Sequence, residues 1–319
     1  MTSYLIRRIP SALAVLVIAS ILIFVILRLV PGGPESVLSG GDATPEQVAH
    51  LRHELGLDRN IVAQYLSWVG GIVTGHLGTS YVIGGSIADL VGYGLGNTVI
   101  LALGGIIVAV VFALALSLTS VLSRSRVAGA AVTVINALAI ALPVFVVGTL
   151  LVLVVGINLQ WLPAGGTPPD GFGHRWDLAW QYLVLPAVTL GLPTGAVLAR
   201  FLTESLGTEL RQSYVTTATA LGVSRTRIVL RHVLPNALPP ALTVFGIAAG
   251  GLLGGAVLVE SIFAWPGLGL LLQEAIDNRD YPLVQVLLLV AVAVFVLIQL
   301  VTDVAYALLD PRIRLGASA

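Results

Sequence analysis

The chain has 319 residues, of which 57% are hydrophobic and 10% charged, with a mean hydropathy of +0.98. Soluble domains carry about 25% charged residues, so this chain cannot cover a soluble surface, and it is too apolar for disorder; a polytopic membrane protein remains. Sixteen basic and sixteen acidic residues cancel, which leaves no electrostatic footprint for nucleic acid, and the absence of cysteine removes disulfide and thiolate chemistry.

Every basic residue is Arg, and Gly reaches 35 residues. Small residues let membrane helices approach closely. A spanning helix needs about 20 mostly apolar residues. Six stretches meet this, near 10–30, 97–122, 130–157, 183–203, 239–262 and 283–307. The first follows Arg7 and Arg8. Its apolar run from Ala12 to Val30 is too long for a signal-peptide core, and no small-residue cleavage pattern follows. Pro31-Gly32-Gly33-Pro34 ends it.

The segment 31–96 has its own punctuation. Thr44-Pro45-Glu46-Gln47 reads as a capping box with Pro at the first helical position. Val48, Leu51 and Leu55 follow at helical spacing, and Gly56 can end the helix. Residues 61–74 form an expected interfacial helix with Tyr65 and Trp68 at headgroup level. Asn97 is the expected cap of the second span. This outer segment reads either as a surface for an extracytoplasmic partner or as a brace over a pore mouth. Further along, Pro143 and Pro193 lie inside spans and should kink them.

Arg asymmetry sets the orientation. With the N-terminus inside, Arg7, Arg8, Arg124, Arg126, Arg211, Arg225, Arg227, Arg231, Arg312 and Arg314 fall in the cytoplasm, and Arg200 lies near the inner end of the fourth span. Arg52, Arg59, Arg175 and Arg279 fall outside. Both termini are then cytoplasmic. The inner segment 204–238 is long and punctuated. A helix is expected over 213–221, with Gly222 as its stop. Ser224 can cap a second helix carrying Arg225, Arg227 and Arg231, and Pro235 should break it before the fifth span. The organisation is thus 1–30 (N-terminal segment and first span), 31–96 (outer loop) and 97–319 (five-helix core with the loop 204–238).

The loop resembles the signature of inner-membrane permease subunits of ABC importers: a short helix bearing Ala218, then Gly222, then Leu234-Pro235. The chain further resembles the dipeptide/oligopeptide/nickel permeases along almost its whole length. The matching blocks are Tyr4-Leu5-Ile6-Arg7-Arg8, Arg28 to Pro34, Leu55-Gly56-Leu57-Asp58, Gln64-Tyr65, Trp68, Leu77-Gly78-Thr79-Ser80, Glu260 to Gly269, and Arg279 to Gln285. It is similar to the subunit type with the long first outer loop. The resemblance implies an all-α, type I importer permease fold. It implies a second homologous permease, two ATP-binding subunits holding ATP and Mg, an extracytoplasmic substrate-binding protein, a peptide or related small solute, and the bacterial inner membrane with its lipid. No cofactor or metal is implied in this chain itself. It also implies that Tyr214, Thr216, Thr217, Ala218, Ala220, Leu221, Gly222, Leu234 and Pro235 couple to the ATPase. Glu260, Trp265, Asp280 and Tyr281 become candidates for an outer gate or a binding-protein contact. Three departures stand out: Gly33 where the family has Asp, a neutral coupling helix (Thr216, Thr219, Leu221), and His232 where many relatives in the wider superfamily carry an aliphatic residue.

Single polar residues have competing roles. Glu260 either touches substrate or caps and pairs locally. Asp303 is expected to pair with an Arg of the cytoplasmic loop. Asn136 and Gln299 suit interhelical hydrogen bonds or pore positions. His50 and His53 share a helical face but lack a third metal ligand. With no Lys there is no Walker-type phosphate loop, so ATP hydrolysis belongs to a partner and the chain is not itself an enzyme. Two other readings are an ion-driven secondary transporter, which needs buried ionisable residues or paired broken helices, and a membrane scaffold, which needs no punctuated loop.

Overall fold

The computed structural model describes residues 2–30, 44–54, 58–123, 125–168, 171–172 and 175–309. Among these the only extended pairing is an isolated bridge between Thr79 and Ser86. The helices are α1 (Thr2–Leu29), α2 (Pro45–Glu54), α3 (Ile61–Val73), α4 (Ile87–Leu122), α5 (Arg126–Ala141), α6 (Val144–Leu151), α7 (Trp176–Glu209), α8 (Ser213–Ala220), α9 (Arg225–Ile228), α10 (Leu234–Ile262), α11 (Leu268–Asp277) and α12 (Tyr281–Leu309). The segments Arg8–Leu29, Ile87–Leu122, Asp177–Glu209 and Tyr281–Val301 are each long and apolar enough to span. Two bent pairs, Arg126–Ala141 with Val144–Asn158 and Arg225–Ala241 with Val244–Leu252, bring the total to six when each counts as one span.

Four expectations change. At Pro143 the third span is broken rather than kinked, with its halves 105° apart. Leu142 is extended (φ −78°, ψ 126°), as sterics before a proline favour. The helix α7 instead runs without a break through Pro186 and Pro193, because neighbouring helices tolerate proline within a packed span. The second span begins at Ile87, ten residues before Asn97, because residues 78–86 close on themselves (Ile87 N–H to Gly78 O, 3.1 Å). Asn97 therefore lies inside α4, where its Nδ2 donates to Pro266 O at 2.9 Å. Pro235 does not break its helix either, for a reason given with the site below.

The chain packs as two units. One comprises residues 1–97 and 266–297, the other 98–265 and 298–319. In the first, α3 starts from Asn60, whose side chain accepts from Val62 N–H. Tyr65 and Trp68 turn onto Phe24 of α1, with ring centroids 5.4 and 6.0 Å away, and Tyr65 Oη bonds Ser20 Oγ at 2.8 Å. The two aromatics thus pack on the first span. A core of Ile87, Val91, Ala275, Leu283, Val284, Val286 and Leu287 joins α4, α11 and α12.

In the second unit α7 packs against α5, α6 and α10. Lipid tails are as apolar as Leu, so helix association there rests on close packing rather than on the hydrophobic effect. Gly191 and Gly195, four apart on α7, meet Gly105 and Ala109, four apart on α4. A Cβ on Gly195 would stand 2.8 Å from Ala109 O, and one on Gly191 would press on Gly105 O. Only glycine allows this backbone contact. Two apolar clusters fill the unit. Leu101, Leu185, Leu190, Leu252, Val259 and Trp265 belong to one. Leu198, Leu202, Leu206, Ile228, Val229 and Val233 belong to the other, at the end that carries α8 and α9.

Candidate functional site

The segment after α7 folds as a short helix, a tight turn and a second helix. Residues 213–220 combine two strong helix formers, Ala218 and Ala220, with β-branched residues, and α8 ends in a Schellman motif. Gly222 N–H donates to Thr219 O (3.0 Å) and Val223 N–H to Ala218 O (3.1 Å), with Gly222 at φ +78°. This gives the Ala-to-Gly spacing a physical meaning. Ala218 is the residue whose carbonyl the turn recaptures, and Gly222 is the residue that must be left-handed. Nothing lies within 4 Å of a Cβ built on Gly222, so its constraint is conformational rather than steric.

Tyr214, Val215, Ala218 and Val223 pack inward on the Leu198–Val233 cluster. Thr216, Thr217, Ala220 and Gly222 are exposed, and Leu221 at the tip is 79% exposed. Two polar contacts fix the loop to the spans. Tyr214 Oη donates to Glu209 Oε2 at the end of α7 (2.8 Å), and Arg225 Nη2 donates to Val121 O at the end of α4 (3.0 Å). Burial and the Glu209 charge together raise the Tyr214 phenol above its ordinary range, against a lowering by the Asn236 side chain.

The expected break at Pro235 is absent. The four-residue α9 passes into a π-helical turn, Val229–Val233, and then directly into α10. Leu234 N–H reaches back five residues to Val229 O. Pro235 then enters near the start of α10, where its missing N–H is best tolerated. Leu234 packs on the same cluster, and Pro235 is exposed. Ser224 sits at the cap position of α9, but its side chain makes no capping hydrogen bond.

The remaining candidates, at the exits of α10 and α11, are largely buried. In the second unit, Glu260 is fully buried and accepts from Thr98 Oγ1 at 2.6 Å. Helix α10 exits through Ala264 at φ +47°, with Trp265 N–H donating to Glu260 O at 2.8 Å. Trp265 is fully buried against Phe172, 4.9 Å between centroids. In the first unit, α11 exits the same way. Arg279 stands at φ +54°, and Asp280 N–H donates to Ala275 O at 2.8 Å. The buried Asp280 carboxylate accepts from Ser80 Oγ (2.5 Å), Val82 N–H (3.0 Å) and, at the start of α12, Leu283 N–H (3.4 Å). Ser80 Oγ in turn accepts from Ile83 and Gly84 N–H at 3.1 and 3.0 Å. Burial, and secondarily the Asp280 charge, raise the Tyr81 phenol. Tyr281 is half-buried. Glu260, Trp265 and Asp280 therefore offer no side-chain surface to an outside partner.

Sequence reasoning missed Ser80 and Thr98 as partners of these carboxylates, and it missed the Gly191/Gly195 pair, which a Gly-x-x-x-Gly search finds. Asn136 Oδ1 is buried without a hydrogen-bond partner, and Gln299 is exposed. His53 lies 3.7 Å from Asp58. Pro31–Pro34, Leu55–Leu57, Arg124, Arg312, Arg314 and the side chain of Asp303 lie outside the described residues.

Residues 105–315 match the family model for the binding-protein-dependent transport system inner membrane component, and residues 1–119 match its N-terminal companion. The chain belongs to this family of transport permeases. It is 36% identical to a glutathione transport system permease protein of Escherichia coli, over 98% of this chain and 99% of that one. A probable peptide ABC transporter permease of Sinorhizobium fredii matches at 36% with the same coverage. In fold, the permease resembles the inward-facing MetNI methionine ABC transporter (TM-score 0.54, 18% identity, 69% of this chain and 96% of that one). It also resembles an amino acid ABC transporter (TM-score 0.53, 14% identity, 69% and 94%). The permease is thus an inner-membrane subunit of an ABC importer and not an enzyme. That role implies, in general terms, an ATPase partner and a substrate-binding protein.

Proposed function

We propose that the permease forms half of the translocation pore of an importer for small peptides or glutathione. A second homologous permease completes the pore. Two ATP-binding subunits, which carry ATP and Mg, drive it, and an extracytoplasmic binding protein supplies the solute. Both termini and the loop 204–238 face the cytoplasm. The observation that carries this reading is the rigid α8 turn, whose inner face is built into the ends of the spans while Leu221 and Gly222 point away. That is the form of a lever: force applied at the tip reaches α7 through Tyr214–Glu209 and α4 through Arg225–Val121. The full-length similarity to glutathione and peptide permeases supports the solute class. Glu260, Trp265 and Asp280 act as internal braces at the helix exits.

The test is uptake of labelled glutathione and dialanine by proteoliposomes that hold the complete complex, with binding protein outside and ATP inside. Uptake of either solute that requires enclosed ATP and survives ionophores is expected. Uptake that ionophores abolish and ATP does not support would overturn the reading in favour of a secondary transporter.

A further inference from the structure

A cavity of about 340 Å³ opens between α4, α5 and α7 in the second unit. Its size falls in the range of small-ligand sites. Its polar lining comes from Ser120 on α4, Thr133 and Asn136 on α5, and Arg200 and Thr203 on α7. Arg200 is the only charge among these groups. It is exposed, stands nine residues before the end of α7 in a segment apolar enough to span, and no acidic group of the described residues pairs with it. An ionisable side chain within a span is costly and faces a cavity or a counter-charge. Here it has the cavity and lacks the counter-charge.

Asn136 Oδ1 supplies the second, independent sign. It is a buried acceptor with no donor, and such an atom costs free energy until an N–H or O–H reaches it. Thr133 and Thr203 do not supply that donor, because their hydroxyls already bond the carbonyls of Gly129 and Ala199. The same cavity thus presents a guanidinium without an anion and, at Asn136, an acceptor that neither threonine satisfies. A sulfate or a fully ionised phosphate ester offers acceptors alone. A peptide offers a carboxylate for the Arg200 fork and an N–H for Asn136 in one small molecule.

We propose that this cavity is a transit site that holds the carboxylate of the imported solute at Arg200 and one of its N–H groups at Asn136. The proposal rests on the importer reading above and deepens it: the permease itself, apart from any binding protein, selects solutes with a free carboxylate.

The probes are trialanine and trialanine amide, which differ at the carboxylate, in proteoliposomes of the complete complex with one binding protein throughout. The quantity read is the ratio of free-acid to amide uptake, in which any preference of the binding protein is common to all permease variants. Arg200→Gln should lower this ratio about tenfold, as loss of a charge-assisted pair does. Arg200→Lys, which keeps the charge, should stay within about threefold of the unaltered ratio. Asn136→Leu should slow both probes without changing it. An unchanged ratio in Arg200→Gln would overturn the proposal. So would native mass spectra in which an anionic lipid leaves the complex with Arg200→Gln while the ratio stays constant, since the cavity would then be a lipid site. Failure of the importer reading looks different: the unaltered complex would take up neither trialanine, dialanine nor glutathione with ATP.

Discussion

Asp280 shows how much one residue can hold. Its carboxylate starts α12 and clasps the loop after α3 through Ser80 and Val82. Both Ser80 and Asp280 lie in sequence blocks that identify the family resemblance, but they are 200 residues apart, and no local pattern announces that they meet. Glu260 and Thr98 repeat the lesson at a separation of 162. The helix exits at Ala264 and Arg279 are hidden for another reason: the usual sign of a left-handed exit is glycine, and neither is glycine. Ser80→Ala removes a donor to a buried carboxylate and an acceptor from two N–H groups. We expect it to destabilise by about 2–3 kcal/mol, read as a fall of several degrees in the thermal midpoint of the purified complex. Gly222 separates conformation from size. Gly222→Asn, which tolerates the left-handed region, should keep most ATP-driven uptake. Gly222→Val carries a strain of about 1–2 kcal/mol and should lose it. Equal uptake by the two variants would show that the turn is not under this constraint.

At the scale of elements, apolar length made four spans legible, six with each bent pair counted as one, and turn chemistry made the α8 helix and its glycine stop legible. What stayed hidden was set by neighbours. Pro193 passes because α7 is packed, and Pro235 passes because a π-turn precedes it. Asn97 is interior to a helix that begins ten residues earlier, where loop closure at Gly78 fixes the start. The Gly191/Gly195 contact is the strictest interhelical fit. Gly191→Val places a branched side chain on the α4 backbone, an overpacking of about 1–3 kcal/mol or more. Membrane-inserted protein should fall, while Gly207→Ala, at a position with open space around the added Cβ, should accumulate normally. Tyr214→Phe removes one hydrogen bond of the lever, about 1 kcal/mol, and should lower uptake without lowering membrane accumulation. Since burial and Glu209 raise the Tyr214 phenol, its neutral form is the one favoured by the fold. The stabilisation is complete below pH 10, the ordinary tyrosine range, and is lost as pH rises through the raised value. The unaltered complex should lose thermal stability above that pH more steeply than Tyr214→Phe.

For the whole molecule, composition alone placed the chain in a membrane, and family similarity over 98% of its length made it an importer permease. How force enters is the part that a single chain leaves to its partners, and it is directly testable because the sequence has no cysteine. A cysteine placed at Leu221, 79% exposed at the tip of α8, is a unique attachment point on this subunit. One at Val73, 80% exposed at the end of α3 in the segment proposed to face outward, serves as its counterpart. Each carries a photo-crosslinker in the assembled complex in membranes, and the adducts are identified by mass spectrometry. Position 221 should capture an ATP-binding subunit, and position 73 should capture none. An ATP-binding subunit captured from position 73, or none captured from 221 in a complex that retains ATP-driven uptake, would contradict the coupling role of the α8 turn.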